Sequence, residues 1–284
     1  MSGSLHFEAP TVLEYFAALV ADDATLPVLE AAVAVTQDEM PDLDVQGVLA
    51  QIDSLADRLC RRIPADAAPL QRLRLLNRYF FQELGFAGNV NDYYDPCNSY
   101  LPEVLKTRRG IPLTLALLYI ELATQAGLRA HGVSFPGHFL VKLRLPRGEV
   151  IIDPFNGQSL SRDELDERLQ PLRMEQGLTG DDEVPLGLFL QAAPPREVVA
   201  RLLRNLREIH RAADDLERLA AVLRRLVILL PGAWDERREL ALLLADLGHH
   251  GPAADELAVC LQQRPSASDA DGLRRLLAAW RRLK

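Results

Sequence analysis

Residues 136–155 read PGHFLVKLRLPRGEVIIDPF and carry a histidine and an aspartate fifteen residues apart. β-Branched, apolar and aromatic residues flank the tetrapeptide PRGE at 146–149, which predicts a β-hairpin with these four residues as its loop. The residue numbers of two paired residues then add up to an odd number. The numbers of His138 and Asp153 also do, so the two residues lie on the same face of the sheet. In that strict register Asp153 opposes Lys142, and contact with His138 requires a bulge or a different register.

An apolar segment precedes the hairpin. Residues 109–119 read RGIPLTLALLY, and a helix is expected to begin near Pro112. Proline suits the first helical turn because its missing N–H would have no intrahelical partner there. A polar stretch rich in Asn, Asp and Tyr, residues 88–99, separates this helix from the N-terminal part of the chain.

The rest of the chain is predicted to be helical. Between about residues 10 and 85, apolar side chains recur at three- and four-residue steps, as in residues 48–59. An acidic, loop-like sequence at 179–183 and two prolines at 194–195 suggest a boundary near 190. We therefore predict a helical N-terminal region at 1–85 packed on the core, a core at 86–190 and a helical tail at 191–284.

The tail shows the period of a helical repeat. Pro231 and Pro265 lie 34 residues apart, which is the length of a tetratricopeptide helix pair. Six residues of the second unit have the sizes that this repeat requires: Leu240, Ala241, Gly248, Ala253, Leu257 and Cys260. The first unit matches loosely. Two helix pairs are fewer than a free-standing solenoid needs, so we expect the tail to pack on the main domain.

Composition excludes several classes of protein. The 284 residues are 48% apolar and 25% charged, with a net charge of -8, which disfavours binding to nucleic acid or to an anionic membrane surface. The N-terminus lacks a signal-peptide pattern and no apolar run approaches the ~20 residues that cross a bilayer, so a cytoplasmic location is predicted. The three cysteines, Cys60, Cys97 and Cys260, suggest neither a disulfide framework nor a zinc ribbon. No metal and no cofactor is expected.

Several motifs together resemble one bacterial group, the SirB family. They occur in the same order and are residues 88–96 (GNVNDYYDP), 98–101 (NSYL), 109–112 (RGIP), 135–138 (FPGH) and 153–155 (DPF). The resemblance covers about residues 25 to 280. It implies an α+β fold: a transglutaminase-like, papain-like core with a helical N-terminal region and a small antiparallel sheet, followed by an all-α tetratricopeptide-like tail.

The resemblance also implies a site. Transglutaminase-like enzymes use a cysteine at a helix N-terminus, a histidine on a strand and an aspartate on the neighbouring strand. His138 and Asp153 match the last two, and the usual cysteine position falls on Pro112, whose side chain cannot act as a nucleophile. The cleft implied around this degenerate triad is lined by Asn98, Ser99, Arg109, Gly110, Pro112, Phe135, Gly137 and Phe155.

Other roles for these residues remain open. His138 is either a working base or a structural partner of Asp153, and Cys97 is either an ordinary cysteine or a nucleophile moved to the loop. Thr114 has a hydroxyl pKa too high for attack without strong activation. The run at 91–95 either binds a hard cation or forms Asx turns, and Arg109 either binds an acidic partner, caps carbonyls or pairs with an aspartate.

The function predicted from these residues is that of a non-catalytic transglutaminase-like protein. Its former active-site cleft and tetratricopeptide helices would bind a protein or peptide partner, in a regulatory or assembly role. The alternative is a cysteine-dependent hydrolase or acyltransferase that uses Cys97 with His138 and Asp153. A third possibility is a substrate-binding subunit of a larger enzyme.

Overall fold

The computed structural model describes residues 10–176, 184–264 and 269–283, which form two compact units. The central unit contains residues 28–36 and 43–198, and the C-terminal unit contains the described residues among 1–27, 37–42 and 199–284. The sequence-based boundaries at 85 and 190 stay a prediction. The loop at 179–183 on which the second boundary depends lies outside the described residues.

The central unit is mixed helical and β. Helix α1 (Val12–Leu19) belongs to the other unit, and the helices of the central unit are α2 (Val28–Ala34), α3 (Val45–Cys60), α4 (Pro69–Asn77), α5 (Leu101–Thr107), α6 (Pro112–Gln125), α7 (Arg162–Gln176) and α8 (Leu186–Phe189). A π-helical turn at Arg78–Glu83 extends α4. No helix in the described part of the chain is long and apolar enough to cross a membrane.

Helix α6 is the centre of this unit. It begins at Pro112, as predicted, and it packs against α3 and against the sheet. Because its sequence is apolar on nearly every side, almost the whole helix is buried. Tyr119 meets the edge of Phe80 at 5.3 Å between ring centroids, and Phe80 stacks on Phe86 at 4.6 Å. This aromatic cluster fixes α6 against the segment that follows α4.

Two small sheets complete the unit. The strands β1 (Ala87–Gly88) and β2 (Arg109–Gly110) pair in parallel. The other sheet is antiparallel, with four strands in the order β3 (Arg129–Val133), β4 (Leu140–Leu145), β5 (Gly148–Ile152) and β6 (Ser159–Leu160). The α+β class expected from the sequence is confirmed.

The predicted four-residue hairpin loop is wrong. Leu145 pairs directly with Gly148, so only Pro146 and Arg147 form the turn between β4 and β5. Gly148 has a φ of 142°, a conformation open to glycine and strained for other residues, and this allows the strand to start immediately after the turn. The tighter turn shifts the register by two positions and leaves its parity unchanged.

The C-terminal unit is all helical. Besides α1 it contains α9 (Pro195–Ala212) from Val199 onward, α10 (Leu216–Leu229), α11 (Trp234–Asp246), α12 (His250–Gln263) and α13 (Ala270–Trp280). Four of the six repeat positions, Leu240, Ala241, Ala253 and Leu257, are fully buried between the helices, and Gly248 takes a positive φ in the turn between α11 and α12. The predicted helical tail is confirmed. Pro265, one of the two prolines that define the period, lies outside the described residues.

A charged pair is buried inside this unit. The Arg225 side chain on α10 is fully buried and binds both carboxylate oxygens of Asp38, at 2.6 Å from Nε and 2.8 Å from Nη2. Its guanidinium carbon lies 4.9 Å from the centre of the Phe16 ring on α1. The bidentate geometry and the aromatic contact offset the free-energy cost of removing the guanidinium charge from water.

Candidate functional site

His138 and Asp153 meet at one end of the hairpin. His138 lies two residues before β4, and Asp153 directly follows β5. Because Val141 pairs with Ile152, the observed register places Asp153 opposite Leu140, two positions closer to His138 than predicted. His138 Nε2 lies 2.7 Å from Asp153 Oδ1. The corrected register therefore brings the two side chains into direct hydrogen-bonding contact.

The Asp153 carboxylate connects three parts of the central unit. Oδ1 also accepts the backbone N–H of Phe155 at 3.0 Å, and Oδ2 accepts Nη1 of Arg168, on α7, at 3.2 Å. Arg168 was not identified from the sequence as a residue of this site. The buried Leu165 and Leu169 mark the inner face of α7, but the sequence does not indicate which strand end that face meets.

The environment of Asp153 favours its ionised form. Burial acts to raise the pKa of this carboxyl, but the hydrogen bond and the charge of His138, together with the bonds from Phe155 N–H and Arg168, hold its pKa below the usual range. A carboxylate is therefore present at neutral pH to orient the imidazole through Nε2. Any proton transfer by the ring would use Nδ1.

The N-terminus of α6 is joined to the preceding loop by two hydrogen bonds. Pro112 occupies the first helical position and is buried. The N–H of Ile111 donates to the Asn98 carbonyl at 3.1 Å, and the Thr114 hydroxyl contacts the same carbonyl at 2.8 Å. Thr114 is also fully buried. Its hydroxyl is thus used to join the loop to the helix.

Asn98 organises the polar loop before α5. Its side-chain amide is buried, donates to the carbonyl of Asp92 at 2.7 Å and accepts from the Asn89 amide at 3.0 Å. The Asp95 carboxylate accepts the N–H of Cys97 at 2.9 Å. The Asp95 contact is that of an Asx turn, whereas Asn98 joins residues six and nine positions earlier in the chain. Among the residues that the structure describes, no group of three or more His, Cys, Asp or Glu side chains is arranged to hold a metal ion.

Phe155 links this loop to the His–Asp pair. Its carbonyl accepts the N–H of Gly88 at 2.7 Å, and Gly88 pairs with Gly110, two residues before α6. The Phe155 ring lies 6.4 Å from the His138 ring and 6.1 Å from the Tyr93 ring, measured between centroids. The motif residues, which are widely spaced in the sequence, therefore form one connected region.

The loop beside this region exposes large apolar and aromatic side chains. Val90 is 77% exposed and Tyr94 76% exposed, and the Tyr94 ring contacts Tyr93 edge-on at 5.3 Å. Contiguous exposed apolar surface is typical of interaction sites, and the Tyr93–Tyr94 pair is an exposed aromatic contact of this loop. The hydrogen bonds of Asn98 fix the loop that presents them.

The residues assigned to the cleft differ in accessibility. Phe135 and Ser99 are buried, and Phe135 belongs to the core between the sheet and α7. Arg109 is exposed, and its Nη1 donates to the carbonyls of Gly85 and Arg108 at 2.8 and 2.9 Å, so it caps carbonyls. Gly137 is exposed in the turn before His138.

Of the three thiols, Cys97 is the exposed one. It lies in a 3-10 turn, Pro96–Ser99. The next residue, Asn98, accepts a hydrogen bond from the N–H of Ile111 at the N-terminus of α6. Burial raises the pKa of the Cys60 and Cys260 thiols, which disfavours their reactive thiolate forms.

Replacing Gly88 with alanine is expected to displace Phe155 from the site. A Cβ at this position would lie 2.1 to 2.3 Å from three atoms of the Phe155 ring. The ring has to move, at a cost of about 1–3 kcal/mol in the free energy of unfolding. Urea denaturation would measure this loss. Gly187→Ala is the control because its Cβ would meet nothing within 4 Å; equal stability of the two variants would contradict the prediction.

Comparison with known proteins supports the fold in both units. The profile of the transglutaminase-like superfamily matches residues 46–204, and a tetratricopeptide repeat profile matches residues 206–278. No solved structure matches the chain.

Relatives occur in bacteria and in animals. A UPF0162 protein of Xylella fastidiosa, strain Temecula1, is 37% identical over 254 residues, 89% of each chain. A UPF0162 protein of Pseudomonas aeruginosa is 33% identical over 66% of each chain. Human F-box only protein 21 is 30% identical over 136 residues, which are 40% of this chain and 22% of that protein. The chain therefore belongs to the transglutaminase-like superfamily, as a UPF0162 (SirB-family) protein with C-terminal tetratricopeptide repeats.

Proposed function

We propose that this protein is a non-catalytic transglutaminase-like protein that binds another protein, in a regulatory or assembly role. One observation carries the proposal. Pro112 occupies the first position of α6, where the family resemblance places the nucleophilic cysteine. Without a lone pair on that side chain, acyl transfer from this position has no nucleophile. The proposal keeps the cytoplasmic location predicted from the sequence.

In this proposal the His–Asp pair is a structural clamp. The Asp153 carboxylate holds His138 before β4, the backbone after β5 and a side chain of α7 at the same time. Such a clamp would present the loop with Val90 and Tyr94 as a fixed surface. The tetratricopeptide region supports the binding role, because stacked helix pairs form extended surfaces that accept peptides.

The test of the non-catalytic role is an acyl-transfer assay on the full chain. We expect the purified protein to give no turnover above background, either with p-nitrophenyl acetate or in transfer of a fluorescent amine to the glutamines of casein. His138→Ala should give the same background rate. Turnover that disappears in His138→Ala would overturn the proposal.

A second candidate function is favoured by the place of Cys97. This exposed thiol is adjacent to Asn98, whose carbonyl accepts the N–H of Ile111 next to Pro112. A cysteine-dependent hydrolase or acyltransferase would then use Cys97, His138 and Asp153. This function requires that the pKa of the Cys97 thiol, measured from the pH dependence of its alkylation by iodoacetamide, lie well below the ordinary ~8.5. The substitution His138→Ala should restore the ordinary value. An ordinary pKa in both proteins would exclude it.

A further inference from the structure

A groove lies between α10 and α11 in the C-terminal unit. Its volume is about 380 Å³. Leu219, Leu242 and Leu243 form an apolar floor, and Asp235, Arg238, Glu239 and Asp246 form the rim. Leu219 and Leu243 are buried and Leu242 is half-buried. The groove therefore offers an apolar anchor site inside a polar edge.

The residues of α11 that line the groove, from both rim and floor, form one stripe along the helix. Positions 235, 239, 242 and 246 are separated by steps of three or four residues, so they share a helix face. Asp235 and Asp246 are at the two ends of this stripe, about 16 Å apart along the helix axis. The leucines of the floor lie between them.

The charges of the rim do not cancel. Arg238 pairs with Asp269 at 2.6 Å, and Glu239 pairs with Arg207 at 2.8 Å and also with Arg211. Asp235 and Asp246 are exposed and form no ion pair with any residue that the structure describes. The two ends of the groove therefore carry negative charge available to a partner.

Helix stability does not explain Asp246. It is the last residue of α11, where the helix dipole disfavours an acidic side chain by about 0.3–1 kcal/mol. Asp235, in the first turn, has the favourable orientation. A cation bound beside Asp246 would offset this unfavourable interaction.

We propose that this groove binds a helical peptide segment that carries two cationic side chains flanking an apolar anchor. The inference rests on the proposed binding function and specifies its partner. The separation of about 16 Å corresponds to eleven residues of an α-helix, which return to nearly the same face. In an extended peptide the same distance corresponds to about five residues, and this odd number would point the two cations in opposite directions.

The probe is a fluorescein-labelled, alanine-rich helical peptide with two arginines eleven residues apart and leucines between them on the same face. One control peptide has glutamates in place of the arginines, and another has the arginines on the opposite face. Binding to the full chain is measured by fluorescence anisotropy. We expect the first peptide to bind more tightly than either control and to weaken as salt is added.

The matched protein variants carry equal changes in charge. Asp235→Asn with Asp246→Asn is expected to weaken binding of the arginine peptide by about five- to tenfold, the effect of two exposed ion pairs. Asp163→Asn with Glu167→Gln, two exposed acids on α7, should leave it unchanged. Leu242→Ala should weaken the binding of the arginine peptide and of the glutamate peptide by the same factor.

Equal affinity for the arginine and glutamate peptides would overturn the inference. So would an affinity that the Asp235 and Asp246 substitutions do not change, or an absence of binding by all three peptides. None of these results bears on Pro112 or on the acyl-transfer assay. Failure of the groove is therefore distinguishable from failure of the non-catalytic proposal.

Discussion

Asp153→Ala is expected to lower the free energy of unfolding by about 2–4 kcal/mol, because it removes a buried acceptor and leaves its donors unpaired. Asp153 is 3% exposed and accepts hydrogen bonds from His138, Arg168 and the backbone of Phe155. Arg168 is partly exposed and can recover water, so it contributes the smaller part. Urea denaturation followed by circular dichroism would measure the loss.

A second variant, Asp153→Asn, tests through the pH dependence of its stability whether the loss comes from the charge of the carboxylate. The pKa of Asp153 is lowered in the folded protein, so its ionisation stabilises the fold above the unfolded-state pKa of about 3.9. That contribution disappears as the pH falls through the lower, folded-state pKa. The gap in stability between the native protein and Asp153→Asn should therefore be largest near neutral pH and close in acid.

The control for both measurements is Glu167→Gln. Glu167 is an exposed acid on α7, next to Arg168 in sequence, and its substitution should change the free energy of unfolding by less than about 0.5 kcal/mol. If the stability gap of Asp153→Asn stayed constant from neutral to acid pH, the carboxylate would not be the ionised centre of the clamp.

Arg225→Ala is expected to have the largest effect in the C-terminal unit, about 3–5 kcal/mol, because it leaves the Asp38 carboxylate without its counter-ion. The substitution also removes the cation–π contact with Phe16 and leaves a cavity beside α1. Both tryptophans, Trp234 and Trp280, lie in this unit. Tryptophan fluorescence during urea denaturation therefore follows the unit that the substitution affects.

A double substitution separates charge from packing. Arg225→Met with Asp38→Leu removes both charges and keeps much of the apolar contact. Replacing a buried ion pair by apolar residues is often close to neutral, so most of the stability lost in Arg225→Ala should return. A double variant less stable than Arg225→Ala would show that the pair contributes more than mutual neutralisation.

Local patterns predicted much of the fold. The apolar run after Pro112 and the alternation around β4 and β5 gave the central helix and the hairpin, and the repeat period gave the helical tail. The register was missed because it depends on Gly148 adopting a φ of 142° directly after a two-residue turn. Nothing in the flanking alternation distinguishes this turn from a four-residue loop.

Contacts distant in sequence escaped prediction for a different reason. Arg168 and Asp153 are joined through the packing of α7, and Arg225 and Asp38 are separated by 187 residues. One sequence shows that a helix has an inner face, but it does not show which loop or strand end that face meets. The site could therefore be predicted as a His–Asp pair, whereas the arginine that completes the clamp could not.

The two-residue turn between β4 and β5 has a consequence for how this hairpin can change in length during evolution. His138 and Asp153 meet because Val141 pairs with Ile152, and the fifteen-residue interval between them is incidental to that pairing. Residues inserted between Pro146 and Arg147 would lengthen the tip and leave the strand partners unchanged. Deletion of one residue within β5 would turn Asp153 to the opposite face of the sheet. Insertions at the tip should be tolerated in descendants of this chain, and single deletions in the strands should be selected against.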